Sequence, residues 1–333
     1  MDLNSLIDDV LEVSVVGSFS RIGYQVRRRV FAWDAPADGS LTGRTALVTG
    51  PTSGLGRATA EALADLGARV VLVGRSEARL GAVRDALIAR HGVDRFPIVV
   101  ADMGSLASVR SAVRHVLATE DRLDVLVDNA GAIYPERIIG PDGIEATLAI
   151  MAVAPFVLVS GLLPLLERSG DARVIGVTSG GMYTQGIDLD DLQWATEPFS
   201  GPRAYAKVKR IQVALAREWA RRLRAAGRSA VRVNTMHPGW ADTPGLAEQL
   251  PAFHEAMGPV LRSPAEGIDT ITWLATDPMA GTRGGHVFLD RRPRPFDRVP
   301  STRVGAEDRR RLWDIVVGLT GDPDPLTGDS EAT

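Results

Sequence analysis

Cysteine is absent from this 333-residue chain, which excludes disulfides, thiolate nucleophiles and cysteine-ligated metals together. Histidine is nearly as scarce: the five present are scattered and form no ligand pattern such as HExxH, so no metal site is expected. Aromatic residues make up 5% of the chain and tyrosines number four, so the setting of each tyrosine carries information. Charge of one sign is lacking too; a net charge of −3 gives no reason to expect nucleic acid or an anionic membrane as a main partner. The chain opens with acids (Asp2, Asp8, Asp9), not with the basic stretch of a signal peptide. Residues 10–20 (VLEVSVVGSFS) are apolar but contain Glu12 and are followed by Arg21 and Arg27 to Arg29, too short and too charged to span a bilayer. They read as an amphipathic helix packed on the domain; the other reading is an anchor on a membrane surface, a contact not favoured here. The expected compartment is the cytoplasm.

What is present is regular. From residue 44, short β-branched runs alternate with longer helical stretches, which predicts βαβ units and an α/β fold of the Rossmann type: a doubly wound parallel sheet of about seven strands with helices on both faces. Strands are expected at 44–50, 69–74, 96–102, 123–129, 173–179 and 230–236, with a candidate seventh at 286–290. Helices are expected at 57–67, 76–90, 105–119 and 143–168, and from Tyr205 to about Arg224. Pro97 fits only near a strand start or on a sheet edge. This divides the chain into an N-terminal helical extension (1–42), a nucleotide-binding and catalytic domain (43–300) and a C-terminal helix with a flexible acidic tail (301–333).

In TGPTSGLG (49–56), Gly50, Gly54 and Gly56 lie between the first strand and its helix. Glycines there let the backbone turn tightly and approach a pyrophosphate, whose charge the helix N-terminus stabilises. Placed in the first βαβ unit, the loop points to a dinucleotide. A fold that prefers NAD usually ends its second strand with an acid for the ribose hydroxyl. This strand ends Val73-Gly74-Arg75, and a guanidinium suits a 2′-phosphate, so NADP is expected and NAD less so.

RAYAKVKRIQ (203–212) places Tyr205 and Lys209 at i and i+4, on one helix face. A free phenol ionises near pH ~10, and an ammonium close by favours the phenolate and lowers that value. Lys207 faces elsewhere and is expected to be solvated. Together with Ser179 at the end of a strand and the glycine loop, the set suits proton transfer to or from a carbonyl or alcohol oxygen.

These residues resemble the short-chain dehydrogenase/reductase family. The resemblance is carried by TGPTSGLG (49–56), Asp102 after the third strand, DNAG (128–131), Ser179, Tyr205-x-x-x-Lys209 and HPGWADTPG (237–245), and covers about 44–290. VTSGGM (177–182), PFSG (198–201) and LDRRP (289–293) are similar to the family-member-12-like subgroup, related to retinol-dehydrogenase-like reductases. The resemblance implies that Gly50, Gly54 and Gly56, with Leu55 between them, bind the pyrophosphate. It places Ser53 and Arg75 near the adenosine phosphate, and Asp102 and Met103 at the adenine. Asn129, Ala130 and Gly131 would line the cofactor groove, and Pro238, Gly239 and Thr243 would contact the nicotinamide half. Ser179 would hold the substrate oxygen, Tyr205 would exchange its proton, and Lys209 would depress the Tyr205 pKa and bind the nicotinamide ribose. A substrate lid would span about 240–260, where Trp240, Leu246, Leu250, Phe253 and Met257 suggest a small apolar carbonyl or alcohol. The helices at 143–168 and at Tyr205 pair subunits in many members, so a homodimer is a possible assembly. The arginines on the second (Arg210, Arg217, Arg221, Arg222) could equally be solvated.

Two positions depart from the family. Asp128 stands where the first Asn of Asn-Asn-Ala-Gly is usual, and can replace an amide acceptor but not its donor. Met151 stands where a catalytic Asn usually holds a water that links the lysine to solvent, and a thioether cannot do so. Pro155 nearby is expected to kink the helix or free a carbonyl. The relay is thus broken at Met151 or rerouted through such a carbonyl, which leaves two readings, an oxidoreductase or a cofactor-binding protein with weak or no turnover.

Overall fold

The computed structural model describes residues 3–280, 282 and 284–327; the end of the expected acidic tail lies outside them. Three helices come first: α1 (Leu3–Val13), α2 (Val15–Phe19) and α3 (Arg21–Val30). The alternating part runs β1 (Thr45–Thr49), α4 (Gly54–Asp65), β2 (Arg69–Gly74), α5 (Glu77–His91), β3 (Ile98–Val100), α6 (Leu106–Thr119) and β4 (Val125–Asp128). It continues with α7 (Ala146–Leu148), a π-helical turn over Ala149–Val153, α8 (Ala154–Ser169), β5 (Ala172–Val177), α9 (Gly201–Ala225) and β6 (Val231–Met236). Helices α10 (Pro244–Gln249), α11 (Pro251–Met257) and α12 (Pro264–Thr276), strands β7 (Val287–Leu289) and β8 (Arg292–Arg294), and helix α13 (Ala306–Thr320) complete the chain.

The sheet order is β3-β2-β1-β4-β5-β6-β7-β8, parallel except for β8. The order reverses between β1 and β4, and such a switch point opens a crevice beyond the strand ends. Successive side chains alternate across the sheet: Leu47 joins the core under α6, α8 and α9, whereas Ala46 and Val48 join that under α4, α5 and α12. Every residue of β1 is buried, which explains its unbroken apolar run. Pro97 directly precedes the edge strand β3, where no ladder bond is lost.

Eight strands replace the expected seven. The addition is the β7–β8 hairpin, whose turn residues Asp290 and Arg291 both have φ +56. A left-handed pair matches a two-residue hairpin turn but seldom uses arginine, so RPR after it did not read as a strand. The helix over Ala146–Ser169 is long and apolar enough to cross a membrane, yet 78% of its apolar window is buried inside the protein, between neighbouring helices and the sheet.

Helix α13 covers α8 and α9. Trp313, fully buried, meets Phe156 and Trp219 edge-on, with ring centroids 4.7 Å apart in both cases. At the β7–β8 turn a buried ion cluster ties α1–α3 to the body. Arg27 donates to Asp8 at 2.6 Å, Glu12 at 3.0 Å and Asp290 at 2.8 Å. Arg262 donates to both oxygens of Asp290 and to the backbone carbonyls of Ser18, Phe19 and Ser20.

Candidate active site

The glycine loop joins β1 to α4 as the spacing requires. Gly50 and Gly54 have φ +68 and +52, left-handed values that a side chain would strain. At Gly56 an added Cβ would lie 2.1 Å from the Gly50 carbonyl oxygen and 2.4 Å from Asn129 Nδ2, so only glycine lets α4 start this close to the loop. Asn129 fixes the loop from β4: its Nδ2 donates to the carbonyls of Thr49 (3.0 Å) and Gly50 (3.3 Å). Thr49 Oγ1 in turn accepts from the backbone N–H groups of Asn129 and Ala130, both at 3.0 Å.

From this loop a groove of about 580 Å³ runs over the strand ends, lined by Ser53, Leu55, Arg75, Asp102, Met103, Gly131 and Thr243 among others. Arg79, one turn into α5, lines the same end and was not singled out from sequence, although Arg75-x-x-x-Arg79 is legible there. Asp102 spends one oxygen on its own turn, accepting from Gly104 N–H at 2.8 Å. Leu55, Asn129, Gly131 and Thr243 also line a second cavity of about 470 Å³, so the two are continuous.

That second cavity brings together Ser179, Tyr205 and Lys209 with Pro238 and Gly239. Trp240, Leu246, Leu250 and Phe253 of the expected lid line it; Met257 does not. Gly239 has φ +73, and a Cβ there would meet the Arg262 guanidinium at 2.3 Å. Thr243 caps α10 by accepting from Leu246 N–H at 3.2 Å.

Burial, the larger influence, pushes the Tyr205 phenol up to about 12, and its hydrogen bond with Ser179 pulls the other way. Lys209 lies beside that ring. Its Nζ donates to the Val177 carbonyl at 2.7 Å and sits 5.3 Å from the Tyr205 ring centroid. Thr178 Oγ1 donates to the Lys209 carbonyl at 2.9 Å and pins α9 to the end of β5. His237 beside this loop is buried and driven down to about 3, first by burial and then by Arg262; its Nδ1 accepts from Gly239 N–H at 2.9 Å, as a neutral ring can.

Lys207 is a correction. It is buried rather than solvated, donating to the Asp191 carbonyl at 2.6 Å with its ammonium over the Trp194 ring. Lys207 and Lys209 are also the chain's two lysines, its other basic side chains being arginine and histidine. Arg210 is likewise fully buried, stacked on Phe296.

At the two departures from the family, Met151 is fully buried with its sulfur against Gly131. It sits inside the π-helical turn, where Ala154 N–H donates five residues back to the Ala149 carbonyl. Pro155 has no N–H for the Met151 carbonyl, so the expected disturbance takes the form of this turn. Asp128, buried at the end of β4, is bonded to Thr49 Oγ1 (3.4 Å) and Gln212 Nε2 (3.3 Å). Among the described residues no group of three or more metal-ligating side chains occurs.

A parallel sheet with this order, a glycine cradle at its switch point and a Ser-Tyr-Lys set beside it define a nucleotide-binding oxidoreductase. The short chain dehydrogenase family model matches residues 44–252, and the chain belongs to that family. It is 39% identical to human dehydrogenase/reductase SDR family member 12, over 76% of this chain and 78% of the relative. Mouse polyprenol dehydrogenase is 34% identical over 94% of both chains. A solved structure from Beutenbergia cavernae, with NADP bound at low occupancy, is similar at TM-score 0.62 and 28% identity, covering 76% of this chain and 97% of that one.

Proposed function

We propose that the protein is an NADP(H)-dependent oxidoreductase acting on an apolar carbonyl or secondary alcohol, with Tyr205 as general acid and base. The observation that carries this is the continuity of the glycine-loop groove with the cavity holding Ser179, Tyr205 and Lys209. The fit to a dinucleotide rests on the tight turn at Gly50, Gly54 and Gly56, which lines the groove and which a Cβ at Gly56 would force apart by striking the Gly50 carbonyl. When bound, the nicotinamide supplies or accepts the hydride. Arg75 and Arg79 would hold the 2′-phosphate at the far end of the groove, a reading supported by the NADP in the Beutenbergia structure. Ser179 would hold the substrate oxygen. Tyr205, kept protonated at neutral pH by burial, would give up its proton to that oxygen in reduction and regain it in oxidation. The Lys209 ammonium beside the ring would stabilise the phenolate formed. The apolar lid favours an apolar substrate, and α13, by covering α8 and α9, favours a unit that does not pair through that face.

NADPH consumption across ketones, aldehydes and quinones tests the reading. Tyr205→Phe is expected to lose about 10²–10⁴-fold in turnover, the usual weight of a general acid; undiminished turnover removes Tyr205 from the mechanism. A second reading, a cofactor-binding protein with weak or no turnover, is favoured by Met151 in place of the relay Asn and by Asp128 beside it. A rate gain in Met151→Asn would identify an enzyme with an impaired relay, whereas tight NADPH binding with no turnover on the whole panel supports the second reading.

A further inference from the structure

The buried carboxylate of Asp128 has no part in the mechanism above, and it lies close behind Lys209. In the sheet register Asp128 pairs with Gly176, and the next residue of β5, Val177, offers the carbonyl that takes Lys209 Nζ. Gln212 follows Lys209 by three residues on α9, so the two share a face, and Gln212 Nε2 reaches Asp128 Oδ2 at 3.3 Å. Gln212 Oε1 has no hydrogen-bond partner among the described residues, so the side-chain amide is committed to Asp128 through its Nε2. Behind them lies a small cavity of about 50 Å³ whose walls include Met151, Pro155, Phe156 and Val159, an environment that screens charge poorly.

We propose that Asp128 is a positioning residue for this reaction, its carboxylate being the buried counter-charge that keeps Lys209 an ammonium beside Tyr205. The inference rests on the function proposed above. Lys209 is the charged group that faces Asp128; Thr49 on β1, Gln212 on α9, Gly176 on β5 and Met151 in the π-helical turn are all uncharged. Burial works against both charges, pushing the carboxyl up and the ammonium down, and each is the charged partner that works against that shift in the other. An Asn at 128 would keep the shape and remove the charge. Met151 supplies neither charge nor donor, so in this chain the support of Lys209 passes from the helix carrying Met151 to the end of β4.

The two lysines allow a direct test. With ε-¹³C-labelled lysine the protein gives two side-chain signals, assigned with Lys207→Arg. In Asp128→Asn the Lys209 midpoint is expected to fall by about one pH unit or more, with Lys207 unmoved and the alkaline limb of the kcat profile following Lys209. An unchanged Lys209 midpoint overturns the proposal. Should that variant fail to fold, the wild-type curve decides: a second inflection of the Lys209 signal as Asp128 titrates supports the pairing, and a single inflection overturns it. Turnover that survives Tyr205→Phe would sink the proposed function while leaving the lysine titration standing, so the two failures are distinguishable.

Discussion

Gly56 has no room for even a methyl group. Its Cβ position is already occupied by the Gly50 carbonyl and the Asn129 amide, both fixed by backbone. Gly56→Ala must therefore push α4 away from the loop, and NADPH affinity is expected to fall at least about tenfold, a ~1.4 kcal/mol loss measurable by fluorescence titration. His237 carries a prediction in pH. Its folded value is lowered from the ordinary 6.5 to about 3, so between those limits the unfolded chain binds a proton that the folded chain refuses. Stability is then full above pH ~6.5 and falls as pH drops below it, by about 1.4 kcal/mol per unit for one such group. Thermal melts at pH 7 and pH 5 should show a drop in wild type that His237→Asn reduces. Much at this scale was legible: the glycines, Ser179, Tyr205 and Lys209 stand in one groove because their spacing along strands and a helix leaves them little choice. Lys207 was not, since its solvation depends on the loop bearing Asp191 and Trp194, and no local pattern reports that loop's position.

Helices and strands of the alternating region fall within a few residues of their expected bounds, because a parallel sheet imposes its period on every unit. The π-helical turn was only half visible. Pro155 signals a lost hydrogen bond, but whether the chain kinks or widens by a residue depends on packing between the sheet and α9. Helix α13 was foreseen as a helix and not as a partner of α8 and α9. Its contribution rests on Trp313, wedged against Phe156 and Trp219 with its indole N–H donating to Asp324 at 2.8 Å. Trp313→Ala is expected to cost about 3–5 kcal/mol, read as a shift of the denaturant midpoint, and to expose an apolar strip on α8 and α9. Gel filtration of that variant should show self-association beyond that of the wild type.

Across the whole molecule, the extension and the body meet through charges that have no water to fall back on. Removing one partner leaves the others buried and uncompensated, so Arg27→Met is expected to destabilise by about 3–5 kcal/mol in urea unfolding. Against the opposing and largest effect of burial, Arg294 and then Arg27 hold the Asp8 carboxyl below the usual range, and Arg262 and then Arg27 do the same for Asp290. Their contribution is present above the ordinary carboxylate value near pH ~4 and is lost as pH falls through the lowered folded values. Arg27→Met should weaken that acid dependence. The cluster also sets an order of events during synthesis. Asp8 meets Arg294, 286 residues further on, and Arg27 meets Asp290 across 263. At a ribosomal rate of about 5–20 residues per second, the first helices wait roughly 15–60 s for their partners. Until the β7–β8 hairpin emerges, α1 has only α2 and α3 to hold it, so the first segment made is among the last to settle.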